Sequence, residues 1–262
     1  MTLGTSDEAF SLHGAVVQFG KVRALNGISL SIARGERVGV VGPSGGGKTT
    51  LLRLLNGMQA ATSGTVRALG QDIAALGPSP LRELRARIAF VHQNLALVPG
   101  LRVIQNVVMG RAGRRSLLRS ARDVLFTSRD DTQAIHALLE RTGIPEKLYH
   151  RTDHLSGGQQ QRVAVARALF QHPEALLADE PVSSIDPARA RDTVDLLTRL
   201  SSEDGLTLVM SLHNLELARE FFPRLLGLRQ GRVVFDRQSA SLTGAEFAAL
   251  YSLSKDELLA DG

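Results

Sequence analysis

At 262 residues, 43% hydrophobic and 22% charged, the chain is long enough to bury a sizeable core as one large or two small domains. It contains no cysteine and no stretch of about 18 apolar residues, so disulfides, thiolate metal sites and a membrane-spanning helix are excluded, and no secretory leader is expected at its start. A formal charge of +5, with 27 of the 31 basic residues arginine, fits a solvated surface better than a nucleic-acid partner, and no nucleic acid is expected.

In chain order, residues 15–19 and 24–32 read as strands joined by a turn over 20–23, and 27–32 alternate with period two, as a half-buried antiparallel strand does. Phe19, at the end of the first, is one of few aromatic rings in the chain. Residues 37–41, β-branched and apolar, read as a buried strand. They lead into Gly42-Pro43-Ser44-Gly45-Gly46-Gly47-Lys48-Thr49-Thr50, which fits G-x-x-x-x-G-K-[ST], and then into a leucine-rich helix that closes at Gly57. The glycines let successive N–H groups converge on one anion. The helix beginning near Lys48 turns its unpaired N–H groups and positive dipole end to the same point. Lys48 adds a charge for the β- and γ-phosphates, and the Thr49 hydroxyl is a ligand for Mg²⁺. A strand before and a helix after are the context in which this pattern binds a nucleoside triphosphate. A ring at Phe19, just ahead of such a loop, suits either the core or stacking on a base.

Residues 63–70 read as a short strand, Pro80 opens a basic helix through Arg87, and 88–91 read as a strand followed by the polar His92-Gln93-Asn94. Beyond Pro99 and Gly100 the chain turns mainly helical, with candidates at 102–110, 131–142 and 158–171. Within that stretch, 111–129 holds six arginines against one acid, Asp123, and reads equally as a surface loop or as a contact with a partner or acidic headgroups. Residues 175–180 form an apolar strand ending in Asp179 and Glu180. Asp186 caps a helix from Pro187 to about Ser201. A strand over 206–210 ends at Ser211-Leu212-His213-Asn214, two short strands follow at 225–228 and 232–235, and a helical tail covers 244–250 and 255–259. Strands alternating with helices indicate an α/β protein with a parallel-sheet core.

Asp179 stands where open α/β sheets place ligand groups, and such an acid can hold Mg²⁺ beside Thr49. Glu180 can orient and deprotonate an attacking water. His213, at the end of the next strand, can hydrogen-bond the γ-phosphate and that water. Leu155-Ser156-Gly157-Gly158-Gln159-Gln160-Gln161-Arg162 then supplies a second anion-ready helix start. One triphosphate needs one cradle, so the second is suited to a neighbour's nucleotide.

This last run resembles the signature of ABC-type ATPases, and the resemblance extends from Ser11 to about Phe235. Phe19 matches the aromatic that stacks on adenine, where the family usually has tyrosine. Gly42 to Thr50 match the Walker A loop, and Gln93 the Q-loop glutamine that reaches Mg²⁺ and water. Ser156, Gly157, Gly158 and Gln159 match the signature that closes over ATP from the other copy. Asp179 and Glu180 match Walker B and its catalytic glutamate. Ser183-Ser184-Ile185-Asp186 matches the D-loop, with Ile in place of the usual Leu, and His213 the switch histidine.

The resemblance implies an active ATPase on a P-loop NTPase core with a mainly parallel sheet, an N-terminal antiparallel β subdomain and an inserted helical subdomain at about 94–160. It implies one ATPase domain over 9–240, followed by a short helical tail over 241–262. It also implies a head-to-tail homodimer that sandwiches two ATP molecules and drives separate integral membrane permease subunits at the cytoplasmic face of the cell membrane, with a solute-binding protein as an indirect partner. The run from Ala178 to Pro187, that from Leu228 to Asp236, the arginine-rich insert and the short tail are similar to the ATPases of phosphonate importers. An importer ATPase for another small polar solute, such as phosphite or phosphate esters, and a soluble ABC ATPase of phosphonate breakdown are the alternatives.

Overall fold

The computed structural model describes residues 7–182 and 187–251, apart from the side chains of Leu117 and Pro187. Two sheets organise them. The first is antiparallel and contains β1 (Glu8–Phe19), β2 (Val22–Ala33), β4 (Ser63–Ala68) and β5 (Gln71–Asp72), in the order β2-β1-β4-β5. The second contains β3 (Arg37–Val41), β6 (Ile88–Val91), β7 (Ala175–Asp179), β8 (Thr207–Leu212), β9 (Arg224–Arg229) and β10 (Arg232–Gln238). Its order is β10-β9-β3-β8-β7-β6; every pairing from β9 to β6 is parallel, and β10 closes the edge antiparallel.

The central strands are apolar on both faces, as a parallel sheet covered on both sides requires. Val38, Val40, Leu177 and Val209 face one core, shared with β1, β2 and helix α1 (Lys48–Leu55). Leu176, Ala178, Leu208 and Met210 face the other, shared with helix α7 (Pro187–Glu203). The spatial order places β3, β8, β7 and β6 side by side, so the segments that leave their carboxyl ends emerge together. That edge is where open α/β sheets bind ligands.

The helical stretch between β6 and β7 has a core of its own. It contains α3 (Val103–Val108), a 3-10 segment (Met109–Arg114), α4 (Leu117–Leu125), α5 (Arg129–Arg141) and α6 (Gly157–Phe170). Helix α6 is apolar on two sides: Val163, Ala166 and Phe170 enter the insert's core, while Val165, Ala168 and Leu169 pack under the parallel sheet. It thereby joins the insert to the sheet.

Several boundaries differ from the expectations. The first strand begins at Glu8 rather than residue 15, because 8–12 pair with 30–33 across a register break at Gly14, whose φ of 57° interrupts the alternation. The basic helix α2 runs Pro78–Arg87, with Pro78 rather than Pro80 at its first position. The arginine-rich stretch is helical, not a loop. Ser116 caps α4 by accepting from the Arg119 amide, and Arg111 and Arg115 are paired with the buried Asp131 and Asp123. Helix α8 (Leu215–Phe221), capped by Asn214, adds an element that its short length concealed. Helix α9 (Gly244–Tyr251) folds back onto the sheet, with Phe247 edge-to-face on Phe235 at 5.7 Å. The expected helix at 255–259 lies outside the described residues.

Candidate functional site

Two glycines of the loop after β3 leave no room for a side chain. Gly42, at φ 148°, lies so close to the Leu228 carbonyl oxygen that a Cβ would overlap it. Gly47, at φ 106°, would bring a Cβ to 2.7 Å from the Ala24 carbonyl oxygen. β2 and the β9–β10 turn thus wall the loop in, and the Gly231 amide donates to the Gly46 carbonyl at 3.1 Å. Ser44 and Gly45 are left exposed at its crest, with Pro43 and Thr50 partly buried at its two ends.

Lys48 opens α1 and is almost wholly buried. Its ammonium donates to the carbonyl oxygens of Gly42 at 2.9 Å and Pro43 at 3.1 Å. It also stands 3.4 Å from Glu180 Oε1. The same carboxylate oxygen meets His213 Nε2 at 2.7 Å. Glu180 holds a left-handed backbone, φ 45°, which costs a non-glycine residue about 1–2 kcal/mol and turns its side chain out of the β7 line. Beside it, the buried Asp179 accepts the hydroxyls of Thr49 and Ser211, each at 3.0 Å, on one oxygen. Residues from β3–α1, β7 and β8 therefore converge in one constellation, and the strand order is the reason.

The donor set fits a magnesium-bound triphosphate. Glycines at positive φ and the start of α1 present amide N–H groups around a buried ammonium, which is the chemistry of a phosphate cradle. Thr49 and Asp179 offer one hydroxyl and one carboxylate oxygen side by side. Among the described residues no cluster of three or more His, Asp or Glu side chains could hold a metal alone. A hard cation bound by one carboxylate and completed by substrate phosphates is how Mg²⁺ is usually held.

The other expected residues lie around this centre. Gln93 is exposed in the turn directly after β6, beside β7. The two residues that complete the turn, Leu95 and Ala96, have φ of 57° and 45°, and Arg167 on α6 donates to their carbonyls at 2.6 Å and 2.5 Å. His92 lies tilted against Phe90 in the same place, ring centroids 4.5 Å apart; burial first, then the charges of Arg167 and Arg53, hold its pKa below the ordinary range. Phe90, His92, Arg85, Met109 and Arg167 line a cleft of about 410 Å³ between sheet and insert. Phe19 ends β1 with half its surface exposed, while Ala24 and Leu25 on β2 touch the phosphate loop.

Ser156, Gly157, Gly158 and Gln159 start α6 and are not among the hydrogen-bond partners of Lys48, Asp179 or Glu180. Ser156 and Gln159 form a capping box: the Gln159 amide donates to Ser156 Oγ at 3.4 Å and the Ser156 amide to Gln159 Oε1 at 3.1 Å. A Cβ at either glycine would meet open space, so the helix start faces outward. Asp186, with Ser183, Ser184 and Ile185, lies outside the described residues.

Three contributors escaped the sequence reading. Ser211 binds Asp179 and also accepts the Glu180 amide at 2.9 Å. Arg167 secures the turn after Gln93. Gln161 donates to the Pro181 carbonyl and accepts from Thr193 Oγ1 at 3.0 Å, tying α6 to the segment leaving β7 and to α7. A polar residue inside an apolar strand or on a buried helix face was the only available signal.

A family model described as ABC transporter matches residues 25–183. The phosphonates import ATP-binding protein PhnC of Pseudomonas putida is 44% identical over 247 residues, covering 94% of this chain and 91% of that protein. Its counterpart from Anaeromyxobacter dehalogenans is 49% identical over 93% of this chain, which spans only 48% of that longer relative. Among solved structures, cbiO1 of Clostridium perfringens, part of an ABC transporter complex, superposes with a TM-score of 0.78 at 25% identity, covering 97% of this chain and 94% of that one. The ATP-binding cassette MJ0796, dimeric and bound to ADP and Pi in a post-hydrolysis state, gives 0.76 at 30% identity, covering 89% and 100%. The strand-end constellation, the two glycine-rich helix starts and these likenesses agree: the chain belongs to the ABC transporter family of ATP-binding proteins.

Proposed function

We propose that the chain is the ATP-hydrolysing subunit of an ABC importer, coupling ATP binding and hydrolysis to uptake of phosphonates or related phosphorus compounds through separate membrane subunits. The observation that carries this reading is the near full-length 44% identity to a phosphonates import ATP-binding protein, joined to a complete set of strand-end site residues.

In this reading Gly42 to Thr50 cradle the phosphates, Lys48 exchanging its two loop carbonyls for phosphate oxygens, and Phe19 stacks on the base. Thr49, Asp179 and Gln93 hold Mg²⁺, which supplies charge neutralisation at the phosphates when bound. Glu180 acts as the general base, its carboxylate aimed by Lys48 and His213, and His213 orients the γ-phosphate side of the reaction. Gln93 links this chemistry to the insert. Ser156, Gly157, Gly158 and Gln159 serve the nucleotide of a second copy, and Asp186 joins the nucleotide-binding set. The outward-facing start of α6 supports the assignment, as do the dimers among the solved relatives.

No helix of the described residues is long and apolar enough to cross a membrane, so the reading gives the passage to integral permease subunits seated on the cleft beside His92 and Arg167. The chain then works at the cytoplasmic face of the cell membrane, with a solute-binding protein as an indirect partner. Residues 9–240 act as one ATPase domain with its insert at about 94–160, and 241–262 as a short tail. The test is uptake of a labelled phosphonate by a deletion strain. Wild-type protein should restore it and Glu180→Gln should not. Uptake that survives deletion would remove the transport assignment and leave the ATPase intact.

A further inference from the structure

Helix α4 is fastened on one side only. Val124 packs against the core of the insert and its carbonyl accepts from Gln105 Nε2 at 3.1 Å, while Asp123 is buried against Arg115. The opposite side carries Leu118 and Leu125, seven residues apart and so nearly in line after two turns. They are 87% and 70% exposed, and Phe126, which ends the helix, is 77% exposed. Arg119 and Arg122 stand exposed in the same stretch. Asp123, the one acid of this helix, is buried and shared between Arg115 and Arg122, the latter at 3.6 Å, so two guanidinium groups meet one carboxylate and the outer face combines protruding apolar groups with net positive charge.

We propose that this face of α4 is a peripheral membrane contact, in which Leu118, Leu125 and Phe126 enter the headgroup boundary of an anionic bilayer while Arg119 and Arg122 bind lipid phosphates. Guanidinium groups interleaved with leucine and phenylalanine match the charge and the shallow apolar depth of that boundary, about 5–10 Å. Three isolated protruding side chains offer far less than the roughly 1,200 Å² that a stable protein interface buries. The contact adds to whatever else holds the chain at a membrane, and it acts independently of the ATPase chemistry.

The test is flotation of the full chain with phosphatidylcholine vesicles, with and without phosphatidylglycerol. Binding is expected only with the anionic lipid and should weaken as salt rises. Leu118→Ser/Leu125→Ser/Phe126→Ser and, separately, Arg119→Glu/Arg122→Glu should each weaken it about tenfold or more, with ATPase rates unchanged. Equal flotation of parent and variants, or none by the parent, overturns the proposal. So does loss of vesicle-independent permease binding by the variants, which assigns the face to a protein contact.

Discussion

Ser211 joins the two acids at the end of β7: its hydroxyl donates to Asp179 Oδ1 at 3.0 Å while accepting the Glu180 amide at 2.9 Å. Thr49 donates to the same Asp179 oxygen. One serine on the neighbouring strand thereby orients the carboxylate proposed for Mg²⁺ and the backbone of the proposed general base. In Ser211→Ala, the Mg²⁺ concentration that gives half-maximal ATPase activity should rise about tenfold, as when a partner behind a metal ligand is removed. A titration at fixed ATP measures this. An unchanged Mg²⁺ requirement would remove Ser211 from the site's machinery and leave it a strand-to-strand contact.

Glu180 is shared by Lys48 and His213, at 3.4 Å and 2.7 Å. Glu180→Gln keeps the volume and loses the base. ATP turnover should fall by about 10²–10⁴-fold with nucleotide affinity preserved. Steady-state hydrolysis beside equilibrium binding of a fluorescent ATP analogue separates the two. Near wild-type turnover in this variant would contradict the assigned role.

How much of this was legible in the sequence follows from how local each feature is. The β3–loop–α1 unit was readable because strand, glycines, lysine and helix are contiguous. Asp179, Glu180 and His213 were readable as strand ends, but the meeting of Lys48 and His213 on one Glu180 oxygen depends on β8 lying between β3 and β7, which no local pattern encodes. Ser211 carries no local signal for the same reason: it gains its role only from a neighbouring strand. Helix α4 was hidden because its arginine-rich flank is stabilised by pairs beyond helical spacing, Arg115 with Asp123 eight residues on and Arg111 with Asp131 twenty residues on. The early start of β1 was masked by the irregularity at Gly14.

Arg167 places a half-buried guanidinium against two carbonyls in left-handed backbone, at Leu95 and Ala96, shortly after Gln93. The planar fork suits two acceptors at once, and a lysine ammonium does not. Arg167→Ala should let this turn relax, lowering kcat of the isolated chain about tenfold while leaving ATP affinity within about twofold, since the phosphate loop is untouched. Arg167→Lys should fail to restore the rate. Full activity in either variant would show that the turn holds Gln93 without this clamp.

Glu174 reports on a different part of the fold. It precedes β7 and receives Arg87 from the end of α2 and Arg34 from the turn after β2, so it ties the antiparallel sheet to the parallel one. The Arg87 hydrogen bond first, then those of Arg34 and the two charges, pull its pKa from an ordinary 4.5 to about 2. A folded-state pKa below the unfolded value contributes stability that is fully present above about pH 4.5 and disappears as pH falls toward about 2. The cluster is about one-third exposed, and solvent-screened pairs of this kind are worth about 0–1 kcal/mol, or up to about 4 °C in a chain of this size. Thermal midpoints of wild type and Glu174→Gln should differ by that margin at pH 7 and converge as the pH is lowered from about 4.5. A gap that stays constant through that window would assign the stabilisation to packing rather than to the ionised carboxylate.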